Sequence, residues 1–268
     1  MKKMRLDVAL FEKGLAESRE KAKALIMEGA VFIGGVKCDK PGMQVSETAD
    51  ITLKDTGCPY VSRGGYKLEK ALDVFDIDPK DYIAMDIGAS TGGFTDCLLQ
   101  RGARKVYSID VGTNQLAYKL RTDDRVVVYE KSNFRYFPPE NVADKIDIAV
   151  MDVSFISITK LTENLKNFTE ERTDFVFLIK PQFESGRDEV GKNGVITDRA
   201  VHIKTLHTVI GELDRQGYYL RALDYSPIKG PKGNIEYISR FSFLEEFKAG
   251  NTDVMIKETV EKAYAELK

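Results

Sequence analysis

A chain of 268 residues that is 43% hydrophobic, with 8 prolines and a net charge of −2, has apolar content for a sizeable core and room for two domains, or one large domain with an appendage. That balance excludes a global attraction for polyanions, so nucleic acid would have to meet a local basic patch; Cys38, Cys58 and Cys97 are too few and too scattered for a disulfide framework or a four-cysteine zinc site. Asp7 and Glu12 interrupt any signal-peptide core in MKKMRLDVALFEKG, no apolar run approaches the ~20 residues of a membrane span, and the expected location is the cytoplasm.

The first sixty residues have the rhythm of a small separate α+β module. RLDVALFEKGL places Leu6, Ala9 and Leu10 on one helical side, with Lys13 next at that spacing. Ser18 can cap a second helix, REKAKALIMEG, which stops at Gly29. VFIGGVKC then has the pattern of a hairpin around Gly34–Gly35, and Val45 to Leu53 supplies one or two more short strands. KDTGCPYVSRGG, with Gly57, Pro59, Gly64 and Gly65, is the expected linker region. The expected division is a first domain over 1–58, a linker over 59–65 and a second domain over 66–268.

In the second domain Leu68, Ala71, Leu72 and Phe75 lie at helical spacing in YKLEKALDVF. YIAMDI, KVYSIDV, RVVVYE, IDIAVMDV and FVFLIK follow as short apolar runs separated by helix-length segments. This alternation predicts an α/β fold: a mostly parallel sheet covered on both faces, with ligands at the carboxyl ends of its strands. YYLRALDYS and IEYISRFSF are consecutive strands joined by a Gly/Pro loop, so one of them is expected to be antiparallel. Ile256, Val260, Ala263, Tyr264 and Leu267 make a closing amphipathic helix. His202 and His207, five apart in a helical stretch, do not share a face and are read as structural.

MDIGASTGGFTD, residues 85–96, turns from the first apolar run into a helix. Its glycines follow the order G-x-x-x-G-G rather than G-x-G-x-x-G, so a pyrophosphate cradle fits poorly. Asp86 at the strand end disfavours a phosphate and favours a cationic or zwitterionic ligand. Asp110 closes the next strand, where a carboxylate can accept both hydroxyls of a ribose. The bland alternative is a tight strand–helix turn with no ligand.

The loop and Asp110 together resemble the Rossmann-like class of S-adenosylmethionine-dependent methyltransferases. The resemblance implies that Asp86, Gly88, Ala89, Ser90, Gly92, Gly93, Phe94 and Thr95 hold the methionine part and Asp110 the ribose. It makes Asn133, in EKSNFRYF, the candidate for adenine, against an ordinary turn residue, and it places Asp152 beside the bound donor.

Four charged residues stand at element ends: Lys67 in the entry helix, Asp152 after IDIAVM, Lys180 after FVFLI and Glu236 at the entry to a strand. A lysine at the top of a buried strand is costly unless it is paired or functional. A ribose hydroxyl is a poor nucleophile that must lose its proton during methyl transfer; a lysine can accept that proton or steady the developing alkoxide, and carboxylates can position the lysine. Singly, each of these residues would pass for a surface ion-pair member. In this order they resemble the tetrad of the FtsJ-type ribose 2′-O-methyltransferases, which implies catalytic roles for Lys67, Asp152, Lys180 and Glu236, with Lys180 central and no metal required. Ser154, in DVSFIS, lacks the G-x-S-x-G context of a hydrolase nucleophile.

The front module resembles the RNA-binding fold named after ribosomal protein S-four, in which two helices and a hairpin present basic residues to structured RNA. Candidate contacts are Arg5, Arg19, Lys21, Lys23 and Lys37, with Arg63 in the linker; Glu17, Glu20 and Glu28 interleave with the lysines, as on an ordinary solvated face. The whole order of motifs, through LIKPQFE and GNIEYI, is similar to the hemolysin-labelled TlyA family of ribosomal RNA methyltransferases. That resemblance implies S-adenosylmethionine as cofactor, 2′-O-methylation of cytidine ribose as reaction, and ribosomal RNA or ribosomal subunits as partner. Alternatives are a membrane-active hemolysin, a catalytically silent RNA-binding or ribosome-assembly factor and, more distantly, a dehydrogenase. FESGRDEVGKNGVITD, after Lys180, is a lid, an RNA-contacting loop or a plain surface loop.

Overall fold

The computed structural model describes residues 3–27, 29–53, 58–191 and 193–267. The chain separates into two units, Met1–Arg63 and Gly64–Lys268, so the linker read over 59–65 is divided between them; its Lys54–Gly57 approach lies outside the described residues.

In the first unit, β1 (Lys3–Arg5) leads into α1 (Leu6–Glu12) and α2 (Arg19–Met27), then β2 (Val31–Ile33), β3 (Val36–Lys37), β4 (Gln44–Ser46) and β5 (Ile51–Leu53). Ser18 caps α2 as its composition predicts: Oγ accepts from the Lys21 amide at 3.1 Å. The β2–β3 hairpin turns through Gly34 and Gly35 at φ of 54° and 81°; two consecutive left-handed residues match the strand twist, and glycine adopts them without strain. β1 pairs antiparallel with β4, and β2 lies between β3 and β5. Leu6, Ala9, Leu10, Ala22, Ile26 and Val31 form the core. Lys13 is exposed and donates to the Ala49 carbonyl instead of joining that face.

The second unit begins with α3 (Gly65–Val74), β6 (Ile83–Ile87), α4 (Gly93–Gln100), β7 (Lys105–Ile109), α5 (Tyr118–Arg121) and β8 (Val126–Tyr129). It continues through β9 (Ile146–Met151), α6 (Thr162–Leu165), β10 (Thr169–Ile179), α7 (Pro181–Glu184), α8 (Arg199–Arg215), β11 (Tyr219–Tyr225), β12 (Tyr237–Ser242) and α9 (Thr252–Glu266). One seven-stranded sheet runs β11-β12-β10-β9-β6-β7-β8. β12 is antiparallel to both neighbours, and the other ladders are parallel. Every residue of β6 is buried, which is why that strand is a continuous apolar run broken only by Asp86. Met85 and Ile87 pack in a core shared with Leu206, Leu213, Ile256 and Val260, while the alternate residue Asp86 points to α4, bonding Thr95.

The chain departs from the expected pattern at the β8–β9 connection and at the start of β10. Between β8 and β9 the chain makes only single 3-10 turns at Phe134–Tyr136 and Pro139–Asn141, because Pro138 and Pro139 cannot continue an α-helix. β10 begins well before FVFLI, its charged first half meeting β9 only at Thr169 before the register shifts. Among the described residues no helix is long and apolar enough to cross a membrane.

The strand order sets the position of a site. From β6 the chain goes to β7 on one side and returns to β9 on the other, leaving a crevice over the carboxyl ends of these strands.

Candidate active site

A cavity of about 470 Å³ opens in that crevice. Gly88, Ser90, Asp110, Asn133 and Asp152, all singled out from sequence, line it. Ile87, Ile109, Phe134 and Ile156 supply apolar wall that motif reading had not assigned to the site. The remaining glycine-loop candidates, Asp86 in β6, Ala89 and Gly92 in the turn and Gly93, Phe94 and Thr95 in α4, are buried and do not line this space.

Close approach explains one glycine. Gly88 has φ +84°, and a Cβ there would stand 2.7 Å from the Asp152 carbonyl oxygen and 3.0 Å from Val153 Cγ1. The bare backbone lets the end of β6 lie against the end of β9, tied by the Asp152 amide to Ile87 O at 3.1 Å. Asp110 braces the loop from the other side: its carboxylate accepts from the Ser90 amide at 2.9 Å and the Gly112 amide at 2.6 Å. A carboxylate has about four acceptor positions, so two remain for a ligand's hydroxyls. Asn133 accepts from the Arg135 amide through Oδ1 at 3.1 Å, leaving its NH₂ as the group available to the cavity.

Asp86 is an internal support. Its Oδ2 accepts from the Thr95 amide at 2.9 Å and Thr95 Oγ1 at 2.7 Å, while Oδ1, also buried, has no hydrogen-bond partner among the described residues. Burial, assisted by the negative charge of Asp152, pushes its carboxyl from the ordinary 3.8 up to about 7, outweighing the Thr95 bonds. A raised carboxyl value means that the folded chain holds a proton the unfolded chain has released, so stability falls as pH rises through that window. The ligand-free protein is expected to lose up to about 1.4 kcal/mol per pH unit from this group between about pH 4 and 7. Melting temperatures of wild type and Asp86→Asn across that range check this; the difference between them should change with pH, and a constant difference contradicts it.

The four charged residues come together through the sheet register. β9 and β10 run parallel with Met151 opposite Phe177, so Asp152 and Lys180 emerge from neighbouring carboxyl ends. β12 runs the other way with Tyr237 opposite Ile179, which brings Glu236, just before its first residue, to the same edge. α3 supplies Lys67. Lys67 Nζ lies 2.6 Å from Glu236 Oε2 and 3.4 Å from Asp152 Oδ2, and Lys180 Nζ makes an ion pair with Asp152 Oδ1. Lys67 and Lys180 are each 7% exposed and Glu236 1%, so these charges stand only because the cluster is neutral as a whole. Burial pulls the Lys67 ammonium down, but Asp152 and Glu236 outweigh it and hold it above the ordinary lysine range. Burial likewise pushes Asp152 up, and Lys67 with Lys180 overcomes it, leaving the carboxyl below the usual range.

Two members were missed by sequence reading. Gln182 donates Nε2 to Glu236 Oε1 at 3.1 Å, and Ser154 Oγ accepts from Lys180 Nζ at 3.1 Å. Their signal was position alone, each two residues beyond a charged candidate. His202 is fully buried and bonded to Tyr237 Oη at 2.8 Å and to the Ile196 carbonyl, matching its structural reading.

The basic residues of the first unit are largely engaged within it. Arg5 makes two bonds of 2.9 Å to buried Asp7, whose second cation is Arg19 at 3.7 Å, and the Arg5 bonds hold the Asp7 carboxyl below its ordinary value. Lys21 pairs with Glu17 at 2.7 Å. Lys37 folds its amine against Gly29, at the end of α2, where the helix dipole favours a cation. Arg63 is exposed and Lys23 partly so.

The FtsJ-like methyltransferase family matches residues 60–243, and the S4 domain family matches residues 4–51. A Bacillus subtilis protein provisionally named the rRNA methyltransferase YqxC is 46% identical over 270 residues, covering 100% of this chain and 96% of its own. The 16S/23S rRNA (cytidine-2′-O)-methyltransferase TlyA of Mycobacterium tuberculosis is 41% identical over 88% of each chain. A solved Streptococcus thermophilus structure labelled a hemolysin superposes with a TM-score of 0.78 at 43% identity, covering 99% of this chain and 97% of that one.

Proposed function

Because the chain belongs to the FtsJ-like methyltransferase family, we propose that it methylates the 2′-hydroxyl of a cytidine ribose in ribosomal RNA, with S-adenosylmethionine as donor. One observation carries the reading: Lys180, Asp152, Lys67 and Glu236 form a continuous chain of buried ion pairs whose Asp152 also lines the cavity.

The residues present suit the donor. The unpartnered Asp86 Oδ1 beneath the glycine loop is an acceptor of the sign that a cationic amino-acid end requires, and Asp110 retains acceptor positions for ribose hydroxyls. The apolar wall of Ile87, Ile109, Phe134 and Ile156 suits a flat base, which Asn133 would meet as a hydrogen-bond donor. When bound, S-adenosylmethionine supplies an electrophilic methyl group on a sulfonium.

The chain's own task is then to present an oxygen and manage its proton. A lysine amine has three N–H donors when protonated. Lys180 directs one toward Asp152 and one to Ser154, which leaves one for the 2′-oxygen. Asp152 fixes that amine beside the cavity, and Lys67, fixed by Glu236, fixes Asp152. The oxygen is therefore met by a group already in place that opposes its developing charge, and because all three Lys180 protons are engaged the hydroxyl's own proton leaves to water.

The first unit would dock RNA by phosphate contacts, giving salt-sensitive affinity with little choice of sequence; Arg5 and Arg19, both paired with Asp7, each keep about half of their side-chain surface exposed for such contacts. The workplace would be the cytoplasm, where ribosomal subunits are found.

Purified protein incubated with methyl-labelled cofactor and ribosomal subunits should place label on the ribose of a cytidine. S-adenosylmethionine should also raise the melting temperature, whereas a nicotinamide dinucleotide should not. Stabilisation by the nicotinamide alone, or no transfer to either subunit or to free rRNA, rejects the reading.

A further inference from the structure

Ser154 does not behave as a spare loop residue. Its Oγ accepts from Lys180 Nζ at 3.1 Å, it lines the cavity, and its side chain is exposed. A hydroxyl has one proton. Having accepted from Lys180, Ser154 must direct that proton elsewhere, and it donates to no group of the described chain. Water can take it while the site is open; a substrate that displaces water must supply an acceptor or leave a polar group unpaired.

The backbone holds this hydroxyl in place. The Asp152 amide is bonded to Ile87 O at 3.1 Å, and the Ile158 amide to Glu184 Oε1 at 2.9 Å. Between these anchors Phe155 adopts φ +66°, a left-handed conformation that a large L-residue keeps only when its surroundings impose it. The segment that carries Ser154 is thus fixed at both ends and sharply turned between them.

On the methyltransferase reading above, we infer that Ser154 is a substrate-contacting residue whose hydroxyl donates to the 3′ side of the target nucleotide, at O3′ or the phosphate it carries. The geometry selects this acceptor. Lys180 Nζ and Ser154 Oγ are themselves spaced as a hydrogen-bonded pair, and so are the two vicinal oxygens of a ribose. With the 2′-oxygen on the remaining Lys180 donor, the neighbouring 3′ oxygen falls to Ser154. Two donors on adjacent oxygens fix the rotation of the sugar, which a single contact at the nucleophile does not. No proton or bond changes hands at Ser154; it orients.

Full-length wild type, Ser154→Ala and Ser154→Thr should be compared in single-turnover transfer to ribosomal subunits at saturating cofactor, with cofactor affinity titrated separately. Loss of a hydrogen bond to a charged or strongly polar acceptor should slow Ser154→Ala by about 10- to 100-fold, with cofactor affinity falling by much less than the rate although Ser154 lines the same cavity, and Ser154→Thr should recover most of the rate. An Ala variant as fast as wild type overturns the inference, as does a loss of cofactor affinity that matches the loss of rate. Those results leave the functional reading standing, because wild type still transfers label. A wild type that transfers none removes both.

Discussion

Lys180→Ala is expected to bind S-adenosylmethionine as wild type does and to transfer its methyl group about 10³-fold more slowly. The two halves of this expectation have separate physical sources. Lys180 does not line the cavity proposed for the cofactor, so its removal leaves the glycine loop, Asp110 and the apolar wall intact. What disappears is the amine that Asp152 and Ser154 hold at the open side of the cluster. Asp152 keeps Lys67 as a counterion, so the fold survives truncation at 180. Lys180→Arg should be nearly as slow, because a planar five-donor fork cannot take the place of a compact ammonium between two short-range partners. Cofactor titration beside single-turnover transfer separates binding from chemistry; a Lys180→Ala variant with full rate would show that some other group opposes the charge developing on the 2′-oxygen.

Much of this site could be read in the chain because buried parallel strands are conspicuous. A strand stretch covered on both faces is almost wholly apolar, so IAVM and FVFLI stand out, and the charges that end them, Asp152 and Lys180, stand out with them. Glu236 and Lys67 were visible only as residue types at element ends. Their contact spans 169 positions in sequence and exists because β12 runs antiparallel to β10, a matter of register rather than of local pattern. Asp86 was legible only in part. Its position near a strand end suggested a carboxylate facing a ligand; the two-residue alternation of β6 commits one oxygen to α4 and Thr95 and leaves the other without a partner among the described residues. Ser154 had been weighed only as a nucleophile, and nothing in its neighbours announces that a lysine 26 positions later will use it as an acceptor. β1 was missed for a similar reason: a three-residue strand with Lys3 and Arg5 at its ends has no apolar rhythm, and only its pairing with β4 makes it a strand.

Asp152→Ala should be the more damaging substitution, lowering stability by about 3–5 kcal/mol as well as abolishing transfer, because it leaves buried cations without their shared anion. Lys67 would retain Glu236, but Lys180, 7% exposed, would retain the Ser154 hydroxyl and the Phe183 ring 5.9 Å away, and no anion among the described residues. The pH behaviour follows from the shifts. Asp152 is held below its ordinary value, so its contribution is present above that value and is lost as pH falls through the depressed one. Lys67 is held above its ordinary value, so its contribution is present below that value and is lost as pH rises through the raised one. Apart from the change it makes at Asp86, whose raised value the Asp152 charge assists, the deficit of Asp152→Ala in urea unfolding should therefore be level between about pH 5 and 9 and narrow only beyond that range. Asp152→Asn, which keeps the shape and one acceptor, should cost less stability but rescue no activity, since a neutral amide cannot hold the Lys180 amine as an ion does. The decisive comparison is the double variant Asp152→Ala/Lys180→Ala. If the penalty at position 152 comes from the cation left behind, removing Lys180 as well relieves it, and the double variant should be more stable than the sum of the single effects by about 1–3 kcal/mol. Simple additivity would mean that the two side chains, although in contact, act independently, and that the cluster is not the coupled unit on which the methyl-transfer mechanism depends.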